Sequence, residues 1–207
     1  MGQTTKIDWA DASFNPITGC NHGCAYCYAR GMARRFKGFL PDHKPGTWHE
    51  ENGLYVLEEI QCREQKNGQI VPTPYPFGFA PTFHRYRLDI PQKWKNPKTI
   101  FVGSMSDVFG EWVPDEWIQE VFDACAKAKQ HRYLFLTKNP NRYNELAAKG
   151  LLPHEHWYGY TATSQKMLWR FHHADECLVK NLFVSIEPML APMQPGFCSH
   201  VPADWVI

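Results

Sequence analysis

Cys20, Cys24 and Cys27 stand at Cys-x3-Cys-x2-Cys spacing inside one short stretch, Cys20-Asn21-His22-Gly23-Cys24-Ala25-Tyr26-Cys27. Thiolates this close along a chain can converge on one metal centre. They pair poorly as disulfides, because their number is odd and the loop between them is tight. A structural zinc takes four ligands, so a zinc knuckle would need a fourth from elsewhere, with His22, Cys62 or a distant histidine as candidates. A 4Fe–4S cluster held by these three thiolates would leave one iron open to a small molecule. Spacing and ligand softness favour the cluster over zinc.

The residues around the cysteines are suited to present them. Ser13 to Thr18 reads as a short first strand, with Pro16 near its end. Gly19 permits the turn into the loop, and Gly23 lets backbone approach a metal. Tyr28 to Phe36 reads as a helix stopped by Gly38. A helix starting beside the thiols aims backbone N–H dipoles at them, which favours the negative thiolate. Arg30, Arg34 and Arg35 read first as a solvated face, with phosphate contact as the alternative.

Residues 39–97 have a different character, rich in proline and glycine, with Leu54 to Cys62 as the one span that suggests helical spacing. A stretch of this length reads as an insertion after the first helix, folding over the metal loop. Phe83, His84, Arg85 and Arg87 are its candidates for substrate or cofactor contact, and Cys62 reads as a bystander.

From Lys98 onward the pattern is regular. Thr99–Val102, Tyr133–Leu136, Trp157–Tyr160 and Leu182–Val184 are short apolar runs. Helices are predicted over Asp115–Gln130, over Asn139–Lys149 before Gly150, and from a Ser164 cap to about Cys177. Cys125 falls on the apolar stripe of the first of these and reads as core. Apolar strands alternating with helices predict an α/β fold with a parallel sheet. With right-handed crossovers the units wrap toward a partial (β/α) TIM-like barrel, clipped at the sixth strand near Trp205 to Ile207. The whole chain, 1–207, reads as one domain.

In such a fold the site lies at the carboxyl ends of the strands. The polar residues fall there: Ser104, Ser106 and Asp107; Thr137 and Lys138; Thr161 and Thr163; Ser185 and Glu187. One such residue would be a helix cap, but four successive strands ending this way point to a site. The cysteine loop leaves the first strand at the same rim.

Bulk properties narrow the class. The chain has 43% hydrophobic and 21% charged residues, with no apolar run approaching the ~20 residues of a membrane span. Seven cysteines without a secretion signal predict reduced thiols, a cytoplasmic protein and no membrane partner. A formal net charge of +1 makes no global demand for a nucleic-acid partner.

The cysteine spacing, with Tyr26 just before the third cysteine, resembles the radical S-adenosylmethionine (SAM) superfamily. The likeness extends to Phe14–Cys20, Phe101–Asp107, Leu136–Lys138 and Ser185–Pro188. In that order they resemble an uncharacterised phage-associated family with a radical SAM-like core, itself distantly similar to spore photoproduct lyase. The resemblance implies a 4Fe–4S cluster on Cys20, Cys24 and Cys27, with SAM on the open iron. It implies that Ser104, Ser106 and Asp107 meet the SAM amino group, although the usual glycine-rich motif is absent here. Tyr26, Thr161, Thr163, Ser185 and Glu187 would face cofactor or substrate.

The expected activity is therefore radical chemistry. A 5′-deoxyadenosyl radical takes hydrogen from a substrate, with Asp107, Lys138 and Glu187 as the catalytic candidates. A nucleic acid or nucleotide is the expected substrate class, with an electron-donor protein as partner. The competing expectation is a non-catalytic zinc- or cluster-stabilised binding module for nucleic acid or protein.

Overall fold

The computed structural model describes residues 5–36, 47–172, 179–193 and 203–207. In chain order the elements are β1 (Ala12–Phe14), β2 (Ile17–Thr18), α1 (Tyr28–Arg35), β3 (Trp48–Glu51), β4 (Leu54–Leu57), β5 (Cys62–Glu64), β6 (Ile70–Pro72) and β7 (Thr82–His84). Then follow β8 (Thr99–Val102), α2 (Asp115–Ala126), β9 (Arg132–Thr137), α3 (Asn141–Ala148), β10 (Trp157–Thr161), α4 (Gln165–His172), β11 (Leu182–Ser185) and β12 (Trp205–Val206). The predicted stops at Gly38 and Cys177 lie outside the described residues.

Six strands form one sheet in the order β1-β8-β9-β10-β11-β12, and every neighbouring pair is parallel. The α/β class is thus as expected, and the sheet is open rather than closed on itself. The alternation of strand side chains explains how it is covered. Ala12, Phe14, Ile100, Val102, Tyr133, Phe135 and Tyr158 share one face and one buried cluster with Trp117, Ile118, Val121, Phe122, Cys125, Tyr143 and Leu146 from the helices. A second cluster continues it with Tyr160, Leu168, Leu182 and Val184. Close approach between strands is enforced at Gly159, where an added Cβ would stand 2.3 Å from the Phe183 ring.

The opposite face holds a tryptophan. The Trp9 ring lies 4.7 Å from Phe101, 6.1 Å from Phe183 and 6.4 Å from Trp205, centroid to centroid. It lines cavities on both sides, so the segment before β1 crosses the inner surface of the sheet.

Two sequence expectations are corrected. The single first strand over Ser13–Thr18 is two strands: β1 joins the parallel sheet, whereas β2 pairs antiparallel with β7 in a second sheet ordered β2-β7-β4-β3. The chain turns between them at Asn15-Pro16, where proline can donate nothing to a ladder. The helical reading of Leu54 to Cys62 also fails. Leu54–Leu57 is a strand, hairpinned to β3 through Asn52 (φ 52°) and Gly53 (φ 76°). An Asn-Gly pair with positive φ at both residues is the sequence of a two-residue hairpin turn, and it outweighs the weak periodicity. The insertion thus builds most of a second sheet and a separate β5–β6 hairpin, rather than a plain loop. Among the described residues no helix is long and apolar enough to cross a membrane.

Candidate metal and cofactor site

The loop that carries the thiols is fixed at both ends. Gly19 donates its N–H to the Met105 carbonyl (3.0 Å) and Cys20 donates to the Phe79 carbonyl (3.3 Å). Gly19 has φ +84°, and a Cβ there would stand 2.2 Å from the Ala80 carbonyl oxygen, so only glycine fits. At the other end Cys27 is the N-cap of α1: its thiol accepts the Arg30 N–H at 3.4 Å. The helix therefore starts at a thiol, which caps one of its free N–H groups.

The Cys27 sulfur meets the Arg30 N–H, and His22 and Tyr26 share the wall on which the three thiols lie. Burial first, then the nearby charges of Asp107, Cys24 and Cys27, push the Cys20 thiol up to about 11. A metal that binds there must therefore displace a proton. Burial and the adjoining Cys24 also raise the Tyr26 phenol, which keeps it a donor.

The thiols open onto a cavity of about 610 Å³. Ser104, Ser106, Asp107, Thr137, Lys138, Thr161, Ser185 and Glu187 line it with Cys20, Cys24, Cys27 and Tyr26. These residues follow or end β8, β9, β10 and β11, so parallel strand polarity delivers them to one rim with the cysteine loop. The polar strand ends and the thiols, inferred separately from the sequence, share one cavity. Thr163 is the exception: it is buried outside the lining, and its hydroxyl donates to the Met167 sulfur at 3.2 Å.

Within the cavity the polar residues divide into two kinds. Both oxygens of the buried Asp107 are taken: Oδ1 accepts from the Thr137 hydroxyl (2.7 Å) and the Phe109 N–H (3.0 Å), and Oδ2 from the Lys138 N–H (2.9 Å) and His22 Nε2 (2.7 Å). The Ser106 hydroxyl, by contrast, is buried on the wall with no partner. Asn15 joins the first strand to this rim, accepting from the Ser104 hydroxyl (3.1 Å) and the Met105 N–H (3.0 Å). Tyr28 donates to the Ser104 carbonyl.

The insertion residues Phe83, His84, Arg85 and Arg87 do not line this cavity. Phe83 and His84 are wholly buried, and His84 bonds the Thr18 hydroxyl at 2.8 Å. Arg85 is held by Glu58 and Glu120. Arg87 is buried and donates to the Asn15 carbonyl (2.9 Å) and the Tyr86 hydroxyl (3.2 Å). The polar atoms of His84, Arg85 and Arg87 are thus engaged by partners away from the cavity. Arg30 lies 5.6 Å over the Phe79 ring, while Arg34 and Arg35 are exposed. Cys62 is exposed and Cys125 buried in the core.

Ile7, Trp9, Phe79, Trp112 and Asn15 carry no signal of chemistry in the sequence, yet all but Trp112 and Asn15 line the cavity and those two brace it. Asn15 lies in the stretch that carries the family resemblance, which is the one cue that could have marked it. Among the described residues no three His, Cys, Asp or Glu side chains are gathered to hold a metal ion as they stand. The thiols share a wall without meeting at a point.

No curated protein and no solved structure matches the chain. A family model does, over residues 4–207, and on that match the chain belongs to the family described as Protein of unknown function (DUF5131).

Proposed function

We propose that this protein is a radical SAM enzyme whose 4Fe–4S cluster is held by Cys20, Cys24 and Cys27, on a partial (β/α) barrel. The observation that carries the reading is the shared wall: three thiols line one cavity with the polar ends of four parallel strands. The sequential strand order of the open sheet supports the barrel reading.

The donor set fits a cluster better than zinc. Zinc–sulfur bonds of about 2.3 Å require thiolates roughly 4 Å apart around one point. A four-iron cluster instead takes each cysteine on a separate iron, so its thiols need one cavity rather than one point. A reduced cluster held by Cys20, Cys24 and Cys27 would supply the electron for reductive cleavage of SAM, and so the means of hydrogen abstraction from a substrate.

The residues of the chain bind, orient and exclude. Lys138 offers an ammonium to a carboxylate, and the unpartnered Ser106 hydroxyl offers a hydrogen bond. Ser104, Thr161 and Ser185 line the same space for ribose or amino-acid groups, and Tyr26 lines it with Cys24. Glu187 is exposed and lines the cavity beside Pro188. Asp107 has no free oxygen and serves as a brace. Trp9 and Phe101 close the inner end against water. A nucleotide or nucleic acid is the proposed substrate class, and an electron-donor protein the proposed partner.

Anaerobic reconstitution with iron and sulfide tests this directly. About four irons per chain are expected, with a spin-resonance signal that shifts on adding SAM and vanishes in Cys24→Ala. One colourless zinc per chain, or a signal indifferent to SAM, rejects the proposal.

A further inference from the structure

The two ends of the cysteine loop are pinned by backbone hydrogen bonds, but its middle is not. Between Asn21 and Tyr26, the Cys24 carbonyl, which accepts the Cys27 N–H at 3.3 Å, makes the one such backbone bond among the described residues. Asn21, Gly23 and Ala25 are exposed. Side chains must therefore decide where this segment rests.

His22 is placed to do so. Its Nε2 lies 2.7 Å from Asp107 Oδ2, and its ring packs edge-on against Trp112 at 4.9 Å. The same residue stands two positions after Cys20 and lines the cavity with it. Asp107 is held independently of His22 by Phe109 on its own loop and by Thr137 and Lys138 at the end of β9. The anchor is rigid, and the loop is what it restrains.

We propose that His22 is a positioning residue: its hydrogen bond to Asp107 latches the middle of the cysteine loop onto the ends of β8 and β9 and so fixes Cys20 toward the cavity. The latch gives the loop one rest position before any metal arrives. It also assigns the Asp107 carboxylate to the loop rather than to a reacting group. The inference rests on the reading of Cys20, Cys24 and Cys27 as cluster ligands, and one of its tests does not need the cluster.

The metal-free protein gives that test. Amide hydrogen exchange over peptides spanning residues 18–28 should quicken by about ten-fold in His22→Ala, a loss appropriate to one charge-assisted hydrogen bond. Exchange in the β8, β9 and α2 core should stay as in the parent. His22→Gln, which keeps a side-chain N–H donor, should restore most of the protection. Unchanged loop exchange in His22→Ala, or no recovery in His22→Gln, overturns the latch. In protein reconstituted with iron and sulfide, His22→Ala should shift the cluster's spin-resonance line shape and lose iron to a chelator about ten-fold faster, again with recovery in His22→Gln. Identical spectra and loss rates overturn the proposal. A parent protein that takes up no iron sinks the enzymatic reading, and the exchange measurement then decides the latch alone.

Discussion

The Lys138 ammonium stands 5.9 Å from the centroid of the Tyr26 ring and 3.4 Å from the Thr161 hydroxyl. A cation over an aromatic face beside a hydroxyl is partly solvated, yet among the described residues no carboxylate pairs with it. It is a half-buried positive charge facing a cavity, and an anionic ligand group would complete it. Lys138→Met should therefore weaken SAM binding to the reconstituted protein by about ten-fold or more. Lys138→Arg should retain part of it. Calorimetric titration reads both, and equal affinity in Lys138→Met removes Lys138 from the site.

Gly19→Ala tests how the loop is anchored. The residue sits at φ +84°, and the new methyl would meet backbone oxygen rather than a movable side chain. Strain of this kind costs about 1–3 kcal/mol before the clash is counted. For a chain of this size a melting temperature lower by roughly 2–12 °C is expected. A scanning melt checks it. Gly23→Ala, with open space around the added carbon, should cost less, since only its φ of +72° opposes it.

Acid should destabilise the fold through His84. Complete burial, then the neighbouring Arg87, hold its pKa well below the ordinary 6.5. A group depressed on folding stabilises the native state above its unfolded pKa, and that contribution is lost as pH falls below it. The expected loss between pH 7.5 and 5.5 is on the order of 1 kcal/mol from this residue. His156, lowered chiefly by burial, adds in the same direction. Urea titrations at the two pH values measure the difference, and His84→Gln should flatten it.

Arg85 supplies a negative control. Its guanidinium is shared between Glu58 and Glu120, about a third exposed. Arg85→Ala should leave iron loading unchanged and cost under about 1 kcal/mol of stability. A loss of cluster or cofactor binding in this variant would show that Arg85 reaches the site after all.

What was legible in the sequence was whatever depends on short-range order. The Cys-x3-Cys-x2-Cys spacing, the helix that begins at Cys27, and the apolar runs ending in Ser104–Asp107, Thr137-Lys138, Thr161 and Ser185 follow from local composition. Parallel polarity then places every strand end on one rim, which is why the cavity could be anticipated without knowing its shape. The Asn52-Gly53 hairpin was equally local, but faint helical spacing in a proline-rich stretch obscured it.

Tertiary structure alone decided which polar groups are free. Asp107 and Lys138 look alike as strand-end residues, yet folding brings four donors to the carboxylate and leaves the ammonium facing the cavity. Arg85 and Arg87 look available in sequence and are consumed by partners 27 and 72 positions away. Trp9 has no local reason to sit beneath the cavity, and it does so because an open sheet leaves an apolar inner face to fill. Residue type and spacing specify what a side chain can do. Which of them keeps an unsatisfied atom is settled by contacts between segments far apart in the chain, since hydrogen bonds and burial are counted only once those segments meet.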